Sequence, residues 1–114
     1  MSSTSEPALE VSVTEVKQMQ DASTDFLLLD VRNPDEYELC RIEGSMLLPM
    51  GELMDRIGEI EEHRDRPSVV HCHHGGRSMQ VTQFLRQKGF SHVQNMAGGI
   101  ESWSLEVDSA VPRY

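Results

Sequence analysis

The spacing of apolar positions changes repeatedly along this chain, and each change marks an element. Val11-Ser12-Val13 alternates and predicts a short edge strand. Thr14 then offers an N-cap hydroxyl, and Glu15 falls in the first turn beside the positive end of a helix dipole. Val16 and Met19 share a face, so a helix is predicted from about Thr14 to Gln20. Phe26-Leu27-Leu28-Leu29-Asp30-Val31 is a continuous apolar run broken by one carboxylate, the pattern of a parallel strand covered on both faces. Asn33 can cap a following helix, Pro34 suits its first position, and Asp35 and Glu36 favour its first turn. From Leu39 to Pro49 the pattern reads as a loop, a turn at Gly44 and a short strand that Pro49 stops. Leu53, Ile57 and Ile60 recur at helical spacing with charges opposite them, which predicts an amphipathic helix over Glu52–Glu61 with a solvated acidic face.

Val69 and Val70 suit a buried strand. Gly75 and Gly76 allow a sharp turn, and Ser78–Lys88 is helical in pattern, with Val81, Phe84 and Leu85 facing the sheet and Gly89 as the stop. Phe90–Met96 supplies the next strand. Gly98 and Gly99 precede a last short helix in which Trp103 is a core anchor. The tail from Glu106 to Tyr114 is polar and is expected along the surface. Strands alternating with helices in this order define an α/β fold: a mostly parallel central sheet of about five strands with helices on both faces.

Composition narrows the class. A chain of 114 residues suffices for a single core, and residues 9–114 read as one domain after a disordered lead-in over residues 1–8. Met1 to Pro7 carries neither the charged nor the apolar region of a secretory signal, and no apolar run reaches the ~20 residues of a membrane span. The formal net charge of -9 argues against a nucleic-acid surface. Two cysteines in unlike contexts do not make a disulfide framework, so a reducing cytoplasm is expected.

The chemistry concentrates in Ser68-Val69-Val70-His71-Cys72-His73-His74-Gly75-Gly76-Arg77-Ser78, a strand, a tight loop and the start of a helix. A cysteine at the mouth of such a loop faces converging N–H dipoles and a helix N-terminus. Both favour thiolate, so its pKa should fall below the free value of about 8.5. Arg77 adds a fixed cation. Asp30 and Arg32 fall at the carboxyl end of the preceding strand, where open α/β sheets build their sites. With Glu36 they read as structural support near the site, a surface ion-pair network holding the turn.

These stretches resemble the rhodanese-type sulfurtransferases. Cys72, four intervening residues and then Arg77-Ser78 are similar to that family's active-site loop. Asp30-Val31-Arg32-Asn33-Pro34-Asp35-Glu36-Tyr37 is close to its second signature, and Gly98-Gly99-Ile100 with Trp103 resembles its closing motif. Ile42, Gly44 and Pro49 match as well, but Cys40-Arg41 stands where the family usually has Gly-His. The matches run from about residue 10 to 105. The resemblance implies a single-domain enzyme in which Cys72 takes sulfane sulfur from thiosulfate or a persulfide and passes it to a thiol or cyanide-like acceptor. It implies that the amides of His73, His74, Gly75, Gly76, Arg77 and Ser78 cradle the anionic sulfur, with no cofactor and no metal. Arg77 then braces the loop or draws in an anionic donor, and His73 and His74 line the entrance. A sulfur-carrier or persulfide-bearing protein partner is equally compatible; a nucleic acid or a membrane is not expected.

Three other readings compete. A cysteine phosphatase or arsenate reductase uses a similar loop with five residues between cysteine and arginine; here there are four, which makes a tighter ring. A metal site of His63, His71, Cys72, His73 and His74 is disfavoured, because adjacent strand residues point to opposite faces. A non-catalytic module of the same fold is disfavoured by the presence of both Cys72 and Arg77. Cys40 reads as a packed spare thiol, with a resolving role for Cys72 as the alternative.

Overall fold

The apolar runs do form the central strands, and alternation along them divides the interior in two. In the computed structural model, which describes residues 7–114, the strands are β1 (Glu10–Val11), β2 (Leu27–Asp30), β3 (Met46–Leu47), β4 (Ser68–His71) and β5 (Val93–Met96). They form one five-stranded sheet in the order β1-β5-β4-β2-β3, and every pairing is parallel. In register, Asp30 lies beside His71, so the carboxyl ends of β2 and β4 meet in the middle of the sheet. Leu27, Leu29 and Val70 point to one face and Leu28 and Val69 to the other, following the two-residue period.

The helices are α1 (Val13–Asp21), α2 (Pro34–Leu39), α3 (Leu53–Arg56), α4 (Gly76–Gln87) and α5 (Gly99–Glu106). Leu53, Ile60, Val81, Leu85 and Phe90 cover the first face. Val13, Val16, Cys40, Ile42, Ile100 and Trp103 cover the second, so Trp103 is the anchor its sequence position predicts. Among the described residues no helix is long and apolar enough to cross a membrane.

Several local expectations change. The cap of α1 is Ser12, not Thr14: Ser12 Oγ accepts from the Glu15 amide at 3.1 Å, and Glu15 Oε1 accepts from the Ser12 amide at 3.3 Å. This reciprocal Ser-x-x-Glu box satisfies two orphan donors and moves the strand one residue back. The single amphipathic helix over residues 52–61 is instead a 3-10 turn (Met50–Glu52), the four-residue α3 and a second 3-10 run (Ile57–His63). Ile57 and Ile60 are three apart, so a three-residue turn puts both on the core side, and Gly58 weakens the α alternative. Pro7 and Ala8, assigned to the lead-in, are tied down: their carbonyls accept from Arg86 Nη2 at 2.8 and 3.0 Å. The rest of that lead-in, residues 1–6, lies outside the described residues.

The Asp30–Arg32 pair is not on the surface. Both side chains are 0% exposed. Asp30 accepts from Arg32 Nη2 at 2.7 Å and from Nε at 3.0 Å. The Cys40 carbonyl accepts from Nη2 at 2.7 Å, and the Tyr114 hydroxyl oxygen accepts from Nη1 at 2.9 Å. A buried guanidinium is tolerable only when nearly every N–H is used in this way. The pair therefore fixes the path from β2 into α2.

Candidate active site

Cys72 follows directly on β4 and is 1% exposed. Its sulfur accepts from the Gly75 amide at 3.1 Å, from the Ser78 amide at 3.4 Å and, by position, from the Ser78 hydroxyl at 3.3 Å. Burial pushes the thiol up. The Ser78 hydroxyl and the amides of Ser78, Gly75 and His74 outweigh it, and the net direction is down from the ordinary value. Two glycines permit this geometry. Gly75 caps α4 at φ 110°, a left-handed conformation that brings its amide inward. Gly99 lies at φ 62°, and a Cβ there would come within 2.5 Å of the His73 carbonyl and 2.6 Å of the Cys72 carbonyl.

That close approach explains the loop's polarity. The Ile100 amide donates to the Cys72 carbonyl at 2.9 Å, and the Glu101 amide donates to the His73 carbonyl at 3.1 Å. The first turn of α5 thus holds the loop carbonyls outward while the loop amides face the sulfur. Helix α5 gains acceptors for amides that have no partner within the helix.

Arg77 is paired. Its Nη1 and Nη2 donate to the two carboxylate oxygens of Glu36 at 2.7 and 3.0 Å. Glu36 also accepts from the Asn33 amide at 3.0 Å and the Tyr114 hydroxyl at 2.8 Å. Arg77 above all, with these bonds, holds the Glu36 carboxyl down at about 2. Tyr114 returns to the site from the tail: its ring stacks on His73 with centroids 3.8 Å apart, and His73 stacks on His74 at 3.9 Å. Burial is the main reason its phenol is pushed up to about 12. The tail is pinned by Arg113, whose Nη2 donates to Glu101 at 2.6 Å. His73, His74 and Glu101 place one possible ligand atom each within 4.8 Å of one another, but Glu101 is already engaged by Arg113.

The predicted residues therefore fall into three groups. Cys72, Gly75 and Ser78 form the cradle, with His74 contributing its amide. Glu36 and Arg77 form a brace across the mouth, and His73 and His74 stack beside it. Asp30 and Arg32 lie buried behind it. Cys40 packs on the opposite sheet face from Cys72, 3.8 Å from Arg32 Nη1. Sequence reasoning missed Asn95, Tyr114, Glu101 and the role of Gly99. Only the Gly98-Gly99 pair carried a signal, as part of a motif whose purpose was not evident. A cleft of about 640 Å³ between α1 and α5, lined by Lys17, Phe26, Arg41 and Trp103, does not include Cys72.

A parallel sheet whose central strand delivers a buried cysteine sulfur to inward-facing amides defines an α/β domain with a thiol cradle at the carboxyl end of its sheet. The rhodanese-like domain model matches residues 12–106, and the chain belongs to that family. It is 35% identical over 114 residues to the chloroplastic rhodanese-like/PpiC domain-containing protein 12 of Arabidopsis thaliana, covering 96% of this chain and 38% of that protein. It is 34% identical over 95 residues to a putative sulfur carrier protein of Bacillus subtilis, covering 83% of this chain and 50% of that one. The chain thus spans half or less of the length of these curated relatives. Among solved structures, a rhodanese-related protein from Thermoplasma volcanium superposes with TM-score 0.77 at 31% identity, covering 88% of this chain and 94% of that one. A human single-domain sulfurtransferase gives TM-score 0.77 at 26% identity, covering 88% and 98%.

Proposed function

We propose that this chain is a sulfurtransferase in which Cys72 carries sulfane sulfur as a persulfide. The observation that carries the reading is the cradle itself: two amides and a hydroxyl within 3.4 Å of one buried sulfur. The Cys72 thiolate attacks the outer sulfur of a donor. A new S–S bond forms, the donor's own bond to that sulfur breaks, and the donor leaves with the electron pair. With thiosulfate the leaving group is sulfite. The terminal sulfur of the persulfide is then the anion, and inward amides stabilise it. An acceptor nucleophile attacks that sulfur and restores the thiolate; with cyanide the product is thiocyanate. The cradle that lowers the pKa of the thiol takes the place of a dedicated base, and His73 and His74 serve as walls of the entrance.

The donor we propose is a persulfide, on a small thiol or on a carrier protein, in place of the thiosulfate dianion. Arg77 is cancelled by Glu36 and Arg113 by Glu101, so the mouth offers a dianion no uncommitted charge from these residues. The relative named as a putative sulfur carrier protein supports a protein partner. Arg77 is on this reading a loop brace. Both cysteines are free thiols, in keeping with a reducing compartment such as the cytoplasm. Residues 9–114 act as one domain, because both core faces share a single sheet.

The test is thiocyanate formation from cyanide with thiosulfate or a low-molecular-weight persulfide, beside mass spectrometry of the donor-treated protein. The native chain is expected to form thiocyanate and to gain one sulfur atom on the loop peptide; Cys72→Ser is expected to do neither while keeping its fold. Phosphate-ester hydrolysis without thiocyanate would replace this reading with a phosphatase.

A further inference from the structure

Behind Cys72 lies a polar chain of which sulfur transfer as described uses only the Ser78 hydroxyl. Asn95, on β5, is 1% exposed. Its Nδ2 donates to Glu10 Oε2 at 3.0 Å and to the Gly75 carbonyl at 3.4 Å. Both partners accept only, so the amide orientation is fixed and Oδ1 must face Ser78. Ser78 Oγ lies 2.5 Å from that Oδ1 and 3.3 Å from the Cys72 sulfur. A serine hydroxyl has one proton, and both acceptors claim it.

We propose that Asn95 is a positioning residue that holds the Ser78 hydroxyl proton away from Cys72 except when the sulfur is a bare thiolate. With a thiol, S–H donates to Ser78 Oγ and Ser78 donates to Asn95. With a persulfide, the Cys72 sulfur is a neutral bridging atom that needs no donor, and the Ser78–Asn95 bond again stays intact. Only the unloaded thiolate calls the proton over, leaving two oxygen lone pairs opposed at the shortest contact in the chain Asn95–Ser78–Cys72. Asn95 therefore disfavours the empty thiolate relative to the loaded state. It makes the sulfur a stronger nucleophile and the persulfide longer-lived. The charged groups facing this cluster are Glu10 of β1, reached through Asn95, and Arg77 of α4, which is paired with Glu36 of α2. His73 and His74 flank it in the loop.

The test is a double-mutant cycle read by pH. Thiolate absorbance and iodoacetamide alkylation of Cys72 are titrated in the native chain, Asn95→Ala, Ser78→Ala and the double variant. Asn95→Ala is expected to lower the thiolate midpoint. It should raise alkylation at acidic pH by about threefold, since a freed bond to a charged acceptor outweighs the weaker nucleophile. In the Ser78→Ala background the same substitution is expected to change nothing. Equal shifts in both backgrounds, or none with Ser78 present, would overturn the proposal, because a merely structural Asn95 acts regardless of the hydroxyl. Asn95→Val, whose branched side chain suits a strand, replaces Asn95→Ala if that variant does not fold. The lifetime assignment rests on Cys72 being the sulfur carrier, and is read by faster loss of preloaded sulfur to cyanide in Asn95→Ala. The pH titration needs no sulfur donor, so its failure and that of the sulfur-transfer reading are separate results.

Discussion

His71 turns acid into a specific threat to this fold. It is 0% exposed, its Nδ1 and Nε2 make no well-formed hydrogen bond among the described residues, and the Asp30 carboxylate oxygen is 3.9 Å away. Burial pushes the imidazole down from 6.5 to about 4; Asp30 opposes the shift and Arg32 adds to it. The sign follows from linkage. An unfolded chain takes up the proton as pH falls through 6.5, whereas the native chain does not until about 4, so stability is lost across that interval. At ~1.36 kcal/mol per pH unit the whole interval is worth about 3.4 kcal/mol, and about 2 kcal/mol of it is lost between pH 7 and pH 5. Against a typical total of about 5–15 kcal/mol the change is easily measured. Glu36, held low by Arg77, loses its contribution only below its ordinary 4.5 and so stays outside this window. The assay is urea unfolding at pH 7, 6 and 5, followed by fluorescence of the single tryptophan, Trp103. His71→Gln cannot titrate and is expected to flatten the pH dependence. His73, shifted the same way chiefly by its partial burial, is present in both proteins and cancels in the comparison. A variant as acid-sensitive as the native chain would refute the reasoning.

Three other outcomes follow from the geometry. Glu36→Gln uncouples Arg77, and the KM for thiosulfate should fall about tenfold, equivalent to ~1.4 kcal/mol of released attraction, while kcat changes less; an unchanged KM would mean that Arg77 never faces the donor. Gly99→Ala forces a Cβ against the Cys72 and His73 carbonyls at positive φ and should cost about 2–5 kcal/mol in urea unfolding, with sulfur transfer lost in parallel; a neutral variant would show that the α5 turn is not needed. Cys40→Ser should leave single-turnover persulfide formation unchanged, because the two thiols pack on opposite faces of the sheet; a large drop in stopped-flow amplitude would restore a resolving role.

What the sequence revealed depended on the range of the interactions. Apolar spacing and glycine placement act over a few residues, so the strands, the turn at Gly75 and the helix after it were legible. The 57–63 segment was misread because apolar residues three apart fit both an α-helix and a 3-10 turn, and only packing against β2 and β4 decides. Asp30 and Arg32 were expected at the surface because single-sequence reasoning prices a charge as exposed. Their burial depends on the Cys40 carbonyl and the Tyr114 hydroxyl, eight and 82 residues from Arg32. Cys72 was found through a local loop, whereas Asn95 and Tyr114 reach it only through sheet order and the returning tail.

The same distinction accounts for how the site can be both rigid and chemically open. Across one trans peptide an inward amide turns the preceding carbonyl outward, so the His74 amide that faces the sulfur aims the His73 carbonyl away from it, and a buried carbonyl needs a donor. A loop alone cannot provide one. Helix α5 does, through amides its own geometry leaves over, and the close contact that permits it requires glycine at position 99. Charge is handled by a parallel division. Arg32 is buried and fully bonded, so it fixes the backbone and is unavailable to a ligand; Arg77 is partly exposed and held by one carboxylate, so a single substitution changes what the mouth attracts. The sulfur therefore sits in a frame set by distant elements, and under the sulfur-transfer function proposed above, selectivity for its donor falls to one adjustable ion pair at the rim.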